Sequence, residues 1–411
     1  MDIATIVRLL VVLLLIALTV ILLTRRFDVP YTLGLVVVGL LLSLFDHDLK
    51  FSLRPELVLF VFLPALLFEG SWSISVDTLR QNWRSIFLLS VPGLLLELVL
   101  IALPIHFFAG TDWASAFILA AVLSPTDPVA VLGLFRQMNV NIDLATIIEG
   151  ESLFNDGVAG TFYQVFLVFV LIEMHGQPLS GGQALWLGLS TLLLQAGGGV
   201  LLGGLLGFLI SRFVRYINDH LIETTITIVA AYGCYILADW LHMSGILAVI
   251  VAGLIIGSYG RTHGMTERTQ EAVDDFWSAI AFIANALLFL LVGAQLNPLQ
   301  FLLSAHASSL LLLAGLTLAS VLLSRLLMVL ILPSRALSPS GARLRSWRFL
   351  IFWSGLRGAL SLALILALPL DVPDRQALIF ATYTVVLFTL LVQGFSLRFV
   401  LRSLPALAQK S

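Results

Sequence analysis

The sequence predicts an all-α polytopic membrane protein with about thirteen transmembrane helices, and three observations lead to this fold class. Of its 411 residues, 59% are hydrophobic and only 11% are charged, against about 25% charged residues in an ordinary soluble domain. Apolar stretches long enough to cross a bilayer recur along the whole chain. Positive charge also falls mostly on one side of the resulting topology. A soluble protein of this size has no room to bury so much apolar surface.

The hydropathy pattern predicts thirteen spans. Each needs about 20 apolar residues, or fewer where neighbouring helices shelter it. The predicted spans are residues 6–24, 31–45, 55–71, 84–108, 113–136, 146–174, 182–214, 221–240, 244–260, 272–295, 300–332, 346–369 and 374–403. The second and ninth are short, and the seventh and eleventh are long. We therefore expect tilted helices or extensions into the interface.

The basic residues set the orientation. Of 22 in total, Arg325 and Arg357 are assigned to neither side, and the other 20 lie in loops or towards the ends of predicted spans. With the N-terminus outside, 16 of the others lie on the cytoplasmic side and 4 on the opposite side. An excess of Lys and Arg in the loops is the usual mark of the cytoplasmic side. We therefore expect an external N-terminus and a cytoplasmic C-terminus, in the cell membrane.

Thirteen spans divide into two sets of six around a linking helix. Repeat one would cover about residues 6–174, the linking helix about 182–214 and repeat two about 221–403. Because one span separates the sets, the second starts from the opposite side, which gives the inverted repeats common in transporters. The linking helix is rich in closely spaced glycines between residues 197 and 207. This spacing permits close helix packing, either within the chain or between two subunits.

Composition argues against several classes of function. The 22 basic and 24 acidic residues nearly cancel, so no basic surface for nucleic acid is expected. Cys234 is the only cysteine, which excludes an intramolecular disulfide and a cysteine-based metal cluster. The sequence has no zinc motif, no Ser/His pair within one span and no paired-aspartate protease motif, which argues against an enzyme. No cofactor is expected. The loop from Ser334 to Trp347 is expected to be solvated, with attraction to anionic membrane lipids as the secondary alternative.

Two prolines interrupt the fifth span at mid-membrane, where Pro125 and Pro128 bracket Thr126 and Asp127. Proline has no N–H and disfavours helical angles in the residue before it, so this helix should break in two. Irregular backbone at this depth is tolerated only inside protein or along a cavity. The freed carbonyls, Thr126 and Asp127 offer oxygen ligands for a hard cation, and Asp127 is placed to cap the second half-helix. The alternative, a plain proline kink, does not account for an aspartate in lipid.

The sixth span carries a polar stripe. At 100° per residue, its five polar side chains share an arc of about 160° and face the protein interior. They are Glu149, Glu151, Ser152, Asn155 and Asp156. Asn155 and Glu151 have the alternative role of holding helices together. Asp156 is predicted to titrate and to bind the ion.

Four other charged residues lie within or near the predicted spans. Glu69 lies near the cytoplasmic end of the third span, as an entrance ligand or as an interfacial residue. Glu97 lies in mid-span and needs a partner that the sequence does not identify. Arg357, between Gly355 and Gly358, predicts a loosened helix that would be the second-repeat counterpart of the proline break. Its partner should be a buried acid, Glu151 or Asp127, whereas Arg325 near a span end is expected to snorkel to the interface.

These residues resemble the monovalent cation:proton antiporters, which include the prokaryotic NhaP-type sodium/proton antiporters and the animal sodium/proton exchangers. The resemblance rests on Ser-Pro-Thr-Asp-Pro-Val-Ala at 124–130, Glu-Gly-Glu-Ser-Leu-Phe-Asn-Asp-Gly at 149–157, Phe-Glu-Gly at 68–70 and Gly-Leu-Arg-Gly-Ala at 355–359. It implies an NhaA-like antiporter fold with a core and a dimerisation domain, in which two broken helices cross at the ion site. It also implies a homodimer and an elevator-like movement.

The resemblance also implies roles for single residues. Asp156, Ser152 and Thr126 would bind the monovalent cation, with Glu69 reaching it through water. Asn155 and Asp127 would hold the crossing, and Glu151 would pair with Arg357. The Asn-Asp pair at 155–156 is typical of electroneutral exchange, one cation for one proton.

The sequence thus predicts a secondary active antiporter that exchanges a monovalent cation for a proton by alternating access, in the service of pH homeostasis. Na+ is favoured, with Li+ or K+ as alternatives. Asp156 would hold either the cation or the proton, so that crossing occurs only when its charge is neutralised. A solute/cation symporter of similar inverted-repeat design is the main alternative, and a cation channel the lesser one.

Overall fold

The computed structural model describes residues 3–26, 30–45, 55–138, 140–174, 180–294, 307–333 and 344–403. The described residues form thirteen helices, two of them interrupted, and each helix overlaps one predicted span. In chain order they are α1 (Ile3–Arg26), α2 (Tyr31–Phe45), α3 (55–73), α4 (Val76–Ala109), α5 (Trp113–Leu123 and Val129–Gln137), α6 (Ile142–Met174), α7 (Gly181–Val214), α8 (His220–Trp240), α9 (Gly245–Gly264), α10 (Glu267–Ala294), α11 (Ala307–Ile331), α12 (Leu344–Trp353 and Ala359–Leu366) and α13 (Arg375–Ser403).

Nine of the described helices are long and apolar enough to cross a membrane, and shorter apolar helices accompany them. The predicted all-α, multi-pass architecture is confirmed. Large apolar side chains cover the outer faces, such as Leu15 on α1 and Trp186 on α7, which are 58% and 75% exposed. Such exposure is favourable only against lipid or another apolar surface.

Three helices begin four or more residues earlier than predicted. α4 starts at Val76 rather than residue 84, α6 at Ile142 rather than 146, and α10 at Glu267 rather than 272. Each extension carries an acidic residue in its first turn, where negative charge stabilises the helix dipole. Hydropathy misses these turns because they are polar. Residue 295 of the predicted tenth span, residues 300–306 of the eleventh and residues 334–343 of the cytoplasmic loop lie outside the described residues.

Two helices are broken where the sequence predicts it. α5 stops at Leu123 and resumes at Val129, and α12 stops at Trp353 and resumes at Ala359. These are the fifth and twelfth stretches, which is the fifth position in each predicted set of six. The division into repeats at 6–174, 182–214 and 221–403 stays a prediction.

Three glycines of α7, Gly199, Gly203 and Gly207, pack closely against α9. A Cβ atom at Gly199 would meet the carbonyl oxygen of Ser244 at 2.6 Å, and one at Gly207 would meet the Cα atom of Ala252 at 2.9 Å. Any side chain at these positions would push the two helices apart. Of the two alternatives for this stripe, packing within the chain is therefore the one that the structure adopts.

Candidate functional site

The two helix breaks meet at Asp127. Its backbone N–H donates to the carbonyl oxygen of Leu356 at 2.7 Å, which joins the break in α5 to the break in α12. Its carboxylate accepts the N–H of Val129 at 3.0 Å and that of Ala359, the first residues of the two second half-helices. The predicted capping role is therefore confirmed. One carboxylate faces the positive ends of two helix dipoles, an arrangement that stabilises both ends.

Gly358 allows this close approach. A Cβ atom at this position would overlap the side chain of Asp127, including its Oδ2 atom. Its φ of −138° is an extended conformation that any residue adopts, so the requirement for glycine is one of space rather than backbone strain. The crossing depends on the absence of a side chain here.

Arg357 clamps the break in α5 from the other side. Its side chain is fully buried, and its guanidinium donates to the carbonyl oxygens of Ser124 and of Pro125, the latter at 3.1 Å. Its Nη2 atom donates to Glu97 Oε2 at 3.2 Å. The guanidinium thus satisfies two carbonyls that lack helical donors. Pro128 has no N–H for the Ser124 carbonyl, and the N–H of Val129 donates to Asp127 rather than to Pro125.

The predicted pairing of Glu151 with Arg357 is wrong, because Glu151 binds Arg325 instead. Arg325 Nη2 donates to Glu151 Oε2 at 3.0 Å, and its Nη1 donates to Glu151 Oε1. Arg325 also contacts Glu97 Oε1 at 3.4 Å. At 4% exposed it is buried, so the expectation that it snorkels to the interface is wrong as well. The other candidate partner of Arg357, Asp127, is occupied by the helix ends.

Glu97 lies between the two arginines. With Glu151 it completes a buried group of two carboxylates and two guanidinium groups that is formally neutral. Charges taken out of water must be paired and hydrogen-bonded to be tolerated. The sequence indicates that Glu97 needs a partner, and the structure shows that it has two.

Asn155 ties α6 to the break in α5. Its Nδ2 atom donates to Thr126 Oγ1 at 2.9 Å, and its Oδ1 accepts the Thr126 N–H at 3.4 Å. Thr126 Oγ1 also lies 2.9 Å from Ser152 Oγ. The two hydroxyls and the amide therefore form one hydrogen-bonded group.

A cavity of about 350 Å³ opens beside this group. Asp156, Ser152, Thr126, Asp127 and Glu69 all line it, whereas Glu151 does not. The structure thus brings together four predicted ligands and one supporting residue. Since a water molecule occupies about 30 Å³ of liquid, the space accepts a cation with part of its hydration shell.

Asp156 is an acid of the cavity whose carboxylate has no partner in the described part of the chain. Its side chain is partly exposed to the cavity, and within the described residues no group donates a hydrogen bond to its carboxylate and no base pairs with it. The other acid at the crossing, Asp127, has its oxygens committed to backbone N–H groups. The arrangement leaves Asp156 free to take up a proton or a cation.

Glu69 lines the cavity rather than the membrane interface, which favours the first of its two alternative roles. Further lining residues were not among the predicted ligands, namely Tyr31, Arg136, Glu149, Ser278, Asn285 and Ser361. Asn285 carried a signal, as a single amide in the apolar run from 283 to 287. Ser361 carried none, because serine is common in buried helices.

Comparisons with known proteins agree with this geometry. The pattern of the family described as "Sodium/hydrogen exchanger, transmembrane" matches residues 11–403. The low-affinity Na(+)/H(+) antiporter NhaS1 of Synechocystis is 38% identical over 388 residues, covering 93% of this chain and 71% of its own. The Na(+)/H(+) antiporter NhaP of Pseudomonas aeruginosa is 35% identical over 406 residues, covering 93% of both. The sodium proton antiporter MjNhaP1 of Methanocaldococcus jannaschii superimposes with a TM-score of 0.79 over 100% of both chains at 17% identity, a likeness of fold.

Proposed function

The chain belongs to the sodium/hydrogen exchanger family, and from this premise we propose that it exchanges a monovalent cation for protons across the membrane, with Asp156 as the group that carries either one. It is a multi-pass secondary transporter and not an enzyme. The relatives are named as Na+/H+ antiporters, which favours Na+ as the cation.

One observation carries the proposal: Asp156 is an unpaired carboxylate in a cavity at the crossing of two broken helices. Ser152 and Thr126 line the same cavity. A carboxylate with neighbouring hydroxyl oxygens is a suitable site for a hard cation. Two other acids near the helix breaks are committed elsewhere, since Asp127 accepts backbone N–H groups and Glu151 binds Arg325.

Competition for one acid is sufficient for antiport. If Asp156 holds a proton or a cation but never both, each movement of the site across the membrane transports one or the other. Movement with the bare carboxylate would place an unpaired charge at the low-dielectric barrier, which is costly. One cation then exchanges for one proton, and the cycle is electroneutral. Glu69, further along the cavity wall, would pass the cation to Asp156 through water.

Asn155 and Asp127 would maintain the site rather than bind the ion. Asn155 holds the Thr126 hydroxyl and backbone, and Asp127 neutralises the two helix ends. We further expect a homodimer in the cell membrane, with the N-terminus outside and the C-terminus in the cytoplasm. The charge asymmetry of the loops supports this orientation.

The test is the variant Asp156→Asn in everted membrane vesicles. The amide is nearly the same size and cannot release a proton, so we expect exchange of Na+, Li+ or K+ for protons to fall to background while expression and melting temperature stay near wild type. Asp239→Asn is the matched control, because Asp239 is an exposed acid at the end of α8. Wild-type exchange in Asp156→Asn would overturn the proposal. In the wild-type protein, a cation flux that does not saturate would favour a channel. Failure of all three cations to dissipate ΔpH in the wild type would favour a symporter.

A further inference from the structure

The lining of the cavity includes two polar side chains with no assigned role. Ser361, in the first turn of the second half of α12, is 1% exposed, and its Oγ has no hydrogen-bond partner in the described part of the chain. Asn285 of α10 is 8% exposed, and no described residue hydrogen-bonds its amide. Both line the cavity that holds Asp156.

The unsatisfied hydroxyl of Ser361 follows from its place in the broken helix. Buried hydroxyls farther along a helix in this protein can donate to the carbonyl three or four residues earlier, as Thr382 does to Leu378 and Ser324 to Val321. Those of Thr32 and Ser115, in the first turns of their helices, have no partner among the described residues. Ser361 lies two residues after the start of its half-helix, and the residues before Ala359 are not helical. Its own helix therefore offers no aligned acceptor, and leaving such a group unpaired costs about 1–3 kcal/mol.

An unpaired hydroxyl and an unpaired amide on one cavity wall are suited to the ion. A hydroxyl can donate to the Asp156 carboxylate when the site is empty and can offer its lone pairs to a cation when the site is filled. An amide oxygen is a neutral cation ligand of the same kind. Thr126 and Ser152 supply only two hydroxyl oxygens beside Asp156, and a dehydrated alkali cation needs more ligands around it.

We propose that Ser361 and Asn285 are cation ligands that complete the coordination of the ion at Asp156 from the α10 and α12 side. The assignment rests on the proposed function, since it names further ligands for the same transported cation. It makes both predicted halves of the chain contribute oxygens to the site, which ties cation binding to the packing of α12 against α5.

Two measurements on detergent-purified protein and on proteoliposomes test this assignment. The first is the concentration of Na+, Li+ or K+ that gives half of the cation-dependent rise in melting temperature, which needs no transport. The second is the apparent KM and maximal rate of ΔpH dissipation. Loss of one neutral ligand corresponds to about a 3- to 10-fold weaker site.

We expect Ser361→Ala and Asn285→Ala each to raise both constants by about 3- to 10-fold with the maximal rate largely retained. Ser361→Thr, which keeps the hydroxyl, should restore wild-type values. Ser211→Ala is the matched control, since Ser211 is a buried serine of α7 whose hydroxyl donates to Gly207 at 2.7 Å and which does not line the cavity. It should leave both constants unchanged.

The outcomes separate this inference from the proposed function. Unchanged constants in Ser361→Ala and Asn285→Ala, beside an exchanging wild type, overturn the ligand assignment and leave the antiport intact. Weaker cation binding in both variants, beside a wild type that does not exchange, supports the assignment and overturns the antiport. A wild type whose melting temperature responds to none of the three cations overturns the assignment.

Discussion

Glu97 is, in the described part of the chain, the acid that contacts both buried arginines, and its replacement by glutamine gives the strongest stability prediction. The change keeps the shape of the side chain and removes one charge, so that the buried group of Glu97, Glu151, Arg325 and Arg357 goes from neutral to +1. At 3.2 and 3.4 Å and an effective dielectric constant near 20, each lost attraction is about 5 kcal/mol before desolvation.

The net loss is smaller than the sum of these attractions. Burying the Glu97 carboxylate costs several kcal/mol, and the variant no longer carries that cost. Removing one partner of a buried pair typically destabilises a protein by about 3–5 kcal/mol. We expect Glu97→Gln to lie in this range, and to lower exchange as well, because Arg357 loses the acid that orients it toward Ser124 and Pro125.

The assay is the free energy of unfolding in mixed detergent–SDS micelles. Glu173→Gln is the control, since Glu173 is an exposed acid near the end of α6, and it should stay within about 0.5 kcal/mol of wild type. The double variant Glu97→Gln/Arg357→Gln restores neutrality and keeps the pair of Glu151 with Arg325. Its loss should be at least about 2 kcal/mol smaller than the sum of the two single losses. A loss below about 1 kcal/mol in Glu97→Gln, or strict additivity, would refute the reasoning.

Three further predictions concern the Glu151–Arg325 pair, the close approach at Gly358 and the helix cap at Asp219. Exchanging the charges in Glu151→Arg/Arg325→Glu should recover part of the stability that either single change loses, by about 1–3 kcal/mol in the same unfolding assay; no recovery would mean that the two residues do not act as a pair. Gly358→Ala should abolish exchange and lower stability by about 1–3 kcal/mol, whereas Gly315→Ala, with open space for a Cβ atom, should be neutral or slightly stabilising. Hydrogen bonds from the backbone N–H groups of Ile222 and Leu221 lower the pKa of Asp219 at the start of α8. The stabilising effect of the Asp219 carboxylate is therefore complete above its unfolded pKa and is lost as pH falls through the lowered folded value. The melting-temperature difference between wild type and Asp219→Ala should shrink on acidification, and a constant difference would contradict the capping role.

The helix breaks could be predicted from the sequence because their cause is local. Pro125 and Pro128 remove backbone donors wherever they occur, and Gly355 and Gly358 beside a buried arginine indicate a loosened helix. The thirteen spans follow from hydropathy for the same reason, as a property of each segment alone. The predicted positions of helix starts were less accurate, because a polar first turn, such as that of Val76–Leu88, lies outside the apolar stretch that predicts the span.

The charge pairing could not be predicted, because it depends on which helices pack together. Periodicity places Glu151 on a polar face of α6 and does not say that α11 rather than α12 lies opposite. Arg325, near the end of a span, had the ordinary alternative of reaching the interface. Glu97 is the acid in the apolar part of α4, and its two partners lie more than two hundred residues away. Tertiary packing alone brings the three together.

The division of the polar stripe on α6 was only partly foreseen. Its five residues share one face, yet Asp156, Ser152 and Glu149 line the cavity while Glu151 and Asn155 bind neighbouring helices. Sequence periodicity alone assigns a side chain to a helix face that spans about a third of the circumference. Which residues of that face line the cavity and which contact neighbouring helices is decided by helix packing.

The central claim is that Asp156 takes a proton or a cation but not both. The most direct test is the apparent KM for Na+ in ΔpH dissipation by proteoliposomes, measured for the wild-type protein at several pH values. Competition at one acid predicts that the apparent KM rises as pH falls while the maximal rate at saturating Na+ stays constant. A maximal rate that falls with pH at an unchanged KM would place the proton and the cation on different groups and contradict the account.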